Sequence, residues 1–392
     1  MMSAKDSATA KPRFKVDPAL IITIFVGCIA GYFVVKYAAT TIPNRAVGGL
    51  AANVAGDVKV EEKPLYELGA VGDVRGIGFA SDGNLFVGDR DGLTLRDPKT
   101  GKTVRTFDTD GNGVRTAAAT PGGGAIAAGL SYSGEVRFFG ANEPKPVLSF
   151  RSVTDQEQQS VAFSPDGESI AAGGFDKTVR VYRAGDAAAP KVKAGSVFDT
   201  TKQSGTKAKL ESLPIKAGDT ISAVCFAPDG KTLAVATGPK ATIYDAKTGK
   251  AGQVLFADKE TITAVAFAPD GKTLAVGAAS GVITLFETAT GRQSGEIKGL
   301  GETGKNANAF GLSGNNSGGV SAMIYAPNGK SIYAALKSGI LSQSDVATGK
   351  SLKLFAPDAS PLPAALSLAL SPDAKRAALG YADGSVRVWD LK

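Results

Sequence analysis

Seven copies of one unit, each an apolar strand, a Pro-Asp-Gly-type turn and a second apolar strand, predict an all-β fold. The expected architecture is a seven-bladed β-propeller of four-stranded blades. A glycine content of 49 in 392 residues favours tight turns over long helices. An uncharged run near the N-terminus adds one transmembrane α-helix ahead of the propeller.

The units read FASDGNLFVG from Phe79, ATPGGGAIAAG from Ala119, FSPDGESIAAGG from Phe163, FAPDGKTLAVA from Phe226, FAPDGKTLAVG from Phe267, YAPNGKSIYAA from Tyr325 and LSPDAKRAALG from Leu370. Their Asp-equivalent positions are Asp82, Gly122, Asp166, Asp229, Asp270, Asn328 and Asp373. The successive spacings are 40, 44, 63, 41, 58 and 45, so the third and fifth intervals carry insertions. Pro presets φ in such a turn, Asp tolerates the next position and Gly takes the one that needs freedom. A third strand follows, as in GFDKTVRVYR, ASGVITLFE and ADGSVRVWD, and a more polar fourth strand opens after Lys-Thr-Gly-Lys or Ala-Thr-Gly-Arg.

These units resemble WD40 repeats, and the last ends in the signature dipeptide Trp389-Asp390. The resemblance covers residues 64–392. The same position reads Arg96-Asp97, Phe139-Gly140, Tyr182-Arg183, Tyr244-Asp245, Phe286-Glu287 and Ser344-Asp345 in the other units. With no histidine in the chain, the buried Asp-His-Ser/Thr-Trp network of that family cannot form. The blades are expected to rely on apolar packing and ladder hydrogen bonds, as in a divergent, bacterial-type branch. The chain reaches Lys392 just after the third strand of unit seven, so Pro64–Gly69 is expected to complete that blade and remove an open edge.

Residues 19–35 read ALIITIFVGCIAGYFVV without a charge, and 18–39 is the expected signal anchor. A cleaved signal peptide lacks a convincing site, and a lipoprotein signal at Cys28 would leave an apolar remnant exposed. Lys5, Lys11, Arg13 and Lys15 precede the run, against Lys36 and Arg45 after it. The positive-inside rule then puts a short tail, 1–17, in the cytoplasm and the propeller outside it, on the periplasmic side in a bacterium. Gly27 and Gly31 have the spacing of a helix-dimer motif. Residues 40–63 read as a linker.

Insertions on a regular scaffold are where function tends to sit. Gly185–Ala208, between strands three and four of unit three, carries Lys191, Lys193, Lys202 and Lys207. Gly299–Gly319, between units five and six, is rich in Gly and Asn and offers Lys305, Phe310 and Leu312 as partner contacts. Family geometry puts the first on the bottom face and the second on the top. Arg75 and Arg115 share one register in the first strands of units one and two, near one end of the channel, and are candidates for an acidic partner.

Other motifs are weaker. Gly299 to Asn306 is one residue short of a phosphate-binding loop and lacks the strand–loop–helix setting. Asp108, Asp110 and Asn112 match the opening of a calcium loop, but position twelve is Ala119 rather than Glu. Calcium is therefore the only cofactor considered, and the expectation is none. Zero histidine excludes Ser-His-Asp catalysis and His-ligated metal, and two cysteines, Cys28 and Cys225, make no disulfide framework. The charge of +7 is too diffuse for nucleic acid. The expectation is a non-enzymatic, membrane-anchored protein-interaction scaffold, an accessory subunit of a membrane complex. The alternative is a ligand-binding or sensory propeller, calcium-dependent in one version.

Overall fold

The computed structural model describes residues 59–61, 63–69, 72–151, 156–183, 211–257, 260–298, 318–356 and 362–392. The chain divides at Asn44, and Arg45–Lys392 is the second of its two units. The first, with the expected span 19–39, Gly27 and Gly31, lies outside the described residues. Among the described residues no helix is long and apolar enough to cross a membrane.

The second unit is a seven-bladed propeller of antiparallel sheets. Two short strands come first in the chain, β1 (Lys59–Glu61) and β2 (Tyr66–Leu68), and both join late blades. Blade 1 is β3 (Gly76–Phe79), β4 (Leu85–Asp89), β5 (Gly92–Arg96) and β6 (Thr103–Phe107). Blade 2 is β7 (Val114–Ala119), β8 (Ala125–Leu130), β9 (Glu135–Gly140) and β10 (Leu148–Arg151). Blade 3 is β11 (Gln158–Phe163), β12 (Ser169–Gly174), β13 (Thr178–Arg183) and β14 (Glu211–Lys216). Blade 4 is β15 (Ile221–Phe226), β16 (Thr232–Thr237), β17 (Lys240–Asp245) and β18 (Ala251–Phe256). Blade 5 is β19 (Ile262–Phe267), β20 (Thr273–Ala278), β21 (Ile283–Glu287) and β22 (Gln293–Ile297). Blade 6 is β23 (Val320–Tyr325), β24 (Ser331–Leu336), β25 (Leu341–Asp345) and β26 (Ser351–Phe355). Blade 7 is β27 (Ala365–Leu370), β28 (Arg376–Tyr381) and β29 (Val386–Asp390), with β2 as its fourth strand.

Ring closure is antiparallel: Tyr66 lies opposite Val388 and Leu68 opposite Val386. Lys59–Glu61, inside the segment read as linker, is a strand. It lies parallel to β26, with Lys59 opposite Lys353 and Glu61 opposite Phe355, and makes blade 6 five-stranded. A Lys-Val-Glu tripeptide carries too short a pattern to announce this from sequence.

The turns follow the chemistry of their residues. Asp82, Asp166, Asp229, Asp270, Asn328 and Asp373 each accept the backbone N–H two residues on, at 2.9–3.1 Å. In blade 2, where Gly122 has no side chain, Thr120 Oγ1 accepts from Ala125 N at 3.1 Å instead. The residue after the Asp position takes positive φ in every blade. It is Gly in six, with φ of 68–84°, and Ala374 at 53° in the seventh.

Seven apolar clusters fill the spaces between adjacent blades. Between blades 6 and 7, Trp389 is fully buried and meets Phe355 edge-on, with ring centroids 5.8 Å apart. Its Nε1 makes no hydrogen bond of normal geometry. Packing is what chiefly holds this indole, and removing such a side chain costs about 3–5 kcal/mol. Small polar side chains of the inner strands staple neighbouring blades. Ser222 Oγ donates to Ile262 O at 2.7 Å, Thr263 Oγ1 to Val320 O at 2.5 Å and Ser367 Oγ to Val74 O at 3.0 Å.

Candidate functional site

Antiparallel connectivity puts three features on one face: the start of every first strand, the turn between strands two and three, and the link from strand four to the next blade. The Pro-Asp-Gly turns lie on the other. On the first face the channel opens into a cavity of about 320 Å³ lined by inner-strand residues of all seven blades. Each inner strand of blades 2 to 7 carries a register irregularity at its start. The residue there is Arg115, Gln159, Ser222, Thr263, Ser321 or Leu366, and all line the cavity with Arg75 of blade 1. The repeat therefore makes a ring of seven equivalent positions at the mouth, and the sequence fills them with mostly polar side chains.

Arg75 and Arg115 occupy neighbouring places in this ring, and each has an acidic neighbour. Arg75 Nε lies 2.6 Å from Asp73 Oδ2. Arg115 Nε is 3.7 Å from Glu157 Oε2, and its Nη2 donates to Gln159 Oε1 at 2.9 Å. The mouth is thus a balanced ionic rim rather than a bare cationic one. Two buried polar atoms of the lining, Gln159 Nε2 and Ser321 Oγ, have no hydrogen-bond partner.

Beside Arg115 stand two aromatic residues that belong to none of the sequence motifs. Tyr132 is 88% exposed at the tip of the blade 2 turn, with φ of 64°, and Phe175 is 44% exposed in the equivalent turn of blade 3. Positive φ is costly for a bulky L-residue and is seen mostly where surroundings impose it. Glu157 ties the two turns together. Its Oε1 accepts from Tyr132 N at 3.1 Å and its carbonyl accepts from Phe175 N at 3.3 Å. Gly174 permits this approach, since a Cβ there would lie 2.1 Å from the Glu157 carbonyl oxygen. The signal was present in the sequence: the corresponding turns of blades 1 and 4 to 7 read Arg-Asp, Gly-Pro, Ala-Ser, Lys-Ser and Ala-Asp, without an aromatic.

Lys305, Phe310 and Leu312 lie outside the described residues, as does Gly185–Ala208. Lys298 and Gly318, which flank the first segment, stand on the mouth face by connectivity.

The Asp108 loop links blades 1 and 2 on the same face. Arg137 enters it: its guanidinium pairs with the Asp110 carboxylate at 2.5 Å and donates to the Asp108 carbonyl at 2.9 Å. The Asn112 amide donates to Thr109 O at 3.0 Å. The Arg137 hydrogen bond holds the Asp110 carboxyl below the usual carboxylate range. Of the three side chains proposed for calcium, the Asp110 carboxylate is engaged by this cation, and the Asp108 carboxylate accepts from Asp110 N at 3.1 Å. Among the described residues no cluster of three or more Cys, Asp or Glu groups suits a metal. Burial pushes the Cys225 thiol up, which keeps it protonated and a poor nucleophile.

Three segments, residues 145–183, 249–287 and 362–390, match the WD40 family model, described as WD domain, G-beta repeat. Together the three matches cover 107 of the 392 residues, all within the propeller. The first two matches each begin at the outer strand of one blade and run through three strands of the next. A WD40 repeat here is thus offset by one strand from a blade, and β2 supplies the strand that this offset leaves over. No curated protein gives a match to the chain.

Proposed function

We propose that this protein is a membrane-anchored interaction scaffold whose mouth face holds a partner protein. The observation that carries the reading is the exposure of Tyr132 and Phe175 on adjacent turns that Glu157, the neighbour of Arg115, ties together. Aromatic and arginine side chains dominate binding energy at protein interfaces, and a rigid ring of packed blades presents them with little backbone-ordering cost. The WD40 propeller is consistent with such a role, and no catalytic step is assigned to this chain.

The anchor is the apolar run 19–35 extended to residue 39. The four basic residues ahead of it place the propeller on the extracytoplasmic side, where it serves as accessory subunit of a membrane complex. Gly27 and Gly31 offer a helix-dimer contact within the anchor. Alkaline carbonate extraction of native membranes tests the anchor: the protein stays with the membrane if 19–39 spans it.

The interaction reading is tested with the double variant Tyr132→Ala/Phe175→Ala. It is expected to fold with an unchanged Tm and to lose its stoichiometric partner on detergent extraction. Retention of the partner contradicts the reading. A second reading, a ligand-binding propeller, is favoured by the cavity with its unpartnered Gln159 Nε2 and Ser321 Oγ. A small polar molecule bound there would raise Tm in a concentration-dependent way, and Gln159→Leu would abolish the rise.

A further inference from the structure

Every blade of a propeller ends in an outer strand, and an outer strand is an open template for another chain unless it is blunted. Six of the seven edges carry such a device. β6 holds Arg105, β10 is short and ends on Arg151, β14 holds Pro214 and β22 holds Glu296. In blade 7, β2 has three residues and a central Glu67. In blade 6 the edge of β26 is covered by β1. The outer strand of blade 4 is different. β18 reads AGQVLF, six residues with no charge and no proline, and no further strand pairs with it among the described residues.

Its side chains are also exposed. Leu255 is buried, whereas Val254 is 43% and Phe256 63% exposed. Gln253 Nε2 donates to Ala289 O at 3.3 Å, so Gln253 leans toward blade 5 and leaves the other face of the strand to Val254 and Phe256. The backbone is poised as well. Ala257 N–H donates to Pro239 O at 3.0 Å, so antiparallel alternation turns the N–H and C=O of Phe256 away from β17.

Blade 6 demonstrates what that geometry does. Leu255 pairs with Ala241 as Phe355 pairs with Leu341, so Phe256 has the register of Ala356. The Ala356 N–H donates to the Glu61 carbonyl of the added strand at 3.0 Å. The same outward N–H is offered by Phe256, with no covering strand among the described residues.

We propose that the outer edge of β18 is a docking site for an extended segment of a partner protein, added as a fifth strand in the parallel sense in which β1 adds to β26. The segment it fits is uncharged over about five residues, with apolar side chains at alternate positions to lie on Val254 and Phe256. Backbone hydrogen bonds supply affinity, and the two exposed apolar side chains supply selectivity. This surface is independent of the mouth face.

The test uses the full-length protein in detergent and a fluorescein-labelled octapeptide of alternating Val and Thr capped by Lys at each end. Fluorescence anisotropy is expected to show saturable binding. Phe256→Pro removes the outward N–H without costing a ladder bond, and Val254→Lys charges the edge. Each is expected to weaken binding at least about tenfold with an unchanged circular dichroism melt. Tyr132→Ala is expected to leave peptide binding unchanged, which separates this site from the mouth face. Absence of saturable binding, or equal binding by both edge variants, overturns the proposal. So does a fall in particle mass on Val254→Lys in light scattering, which would assign the edge to a second copy of the chain.

Discussion

Glu67 and Arg387, from opposite ends of the propeller, form a 2.8 Å ion pair across the strand pair that closes the ring. The Arg387 side chain is buried and its guanidinium lies over the Tyr381 ring, 4.6 Å from the centroid. Glu67 meets its Nη2, Nε and Nη1 make no hydrogen bond of normal geometry, and Glu67 is the one carboxylate paired with it among the described residues. Loss of a partner from a buried pair costs about 3–5 kcal/mol, and the half-exposed position of Glu67 reduces this toward about 1–2 kcal/mol. Glu67→Ala is expected to lower stability by that amount in chemical denaturation. An effect indistinguishable from zero would show that β2 is held by backbone pairing and Leu68 alone.

In the turns between first and second strands, Ala374 is the residue at odds with its repeat. It holds a φ of 53° where the other six blades have Gly. An L-residue in that region costs about 1–2 kcal/mol, partly offset by the smaller unfolded-state entropy of Ala. Ala374→Gly is expected to stabilise the protein by about 1 kcal/mol, read as a shift of the denaturation midpoint with unchanged slope. A destabilised variant would mean that the methyl group makes compensating contacts.

Arg137 in the Asp108 loop carries a prediction about calcium. Its guanidinium already holds Asp110, whose carboxyl is lowered chiefly by that hydrogen bond. Millimolar calcium is therefore expected to leave Tm unchanged. The pair has a pH signature too. A lowered carboxyl contributes stability above its unfolded value and loses it as pH falls through the lower folded one. Asp110→Asn should flatten the acid limb of the stability curve. A calcium-induced rise in Tm that vanishes in Asp110→Asn would restore the loop as a metal site.

The alkaline limb should be set by buried tyrosines. Tyr182 stacks on Phe150 with centroids 3.7 Å apart, and burial pushes its hydroxyl up to about 12. Burial also raises Tyr325 and Tyr381. Such groups ionise first in the unfolded chain, so stability is full below the ordinary value of 10.0 and falls as pH rises from there toward about 12. For Tyr182 alone the loss is roughly 2–3 kcal/mol. Tyr182→Phe should remove part of this slope, measured by denaturation at several pH values. An unaltered slope would place the alkaline sensitivity elsewhere.

The repeat made the blades, the turns and the mouth legible, because each copy states the same strand–turn–strand rule and the Asp and Gly positions have a local mechanism. Arg75 and Arg115 could be placed together from register alone. Their acidic neighbours were harder to read, because Asp73 and Glu157 reach them through the turns before each strand, and turns carry no period. Tyr132 and Phe175 escaped for a related reason. They stand out only when seven turns of unequal length are superposed, and they lie in neither of the two insertions. β1 was hidden because three residues laid on another blade's edge obey no pattern of their own. Arg137 entered the Asp108 loop from a strand in the next blade, a contact no linear motif records.

The central claim is that the mouth face, through Tyr132 and Phe175, is where a partner protein sits. The most direct measurement places a photo-crosslinking amino acid at position 132 of the full-length protein in its native membrane. A control at Lys272, in a Pro-Asp-Gly turn on the opposite face, completes the experiment. One dominant crosslinked protein is expected from position 132 and none of it from position 272. Crosslinking of that protein from 272 alone, or none from 132, would contradict the claim.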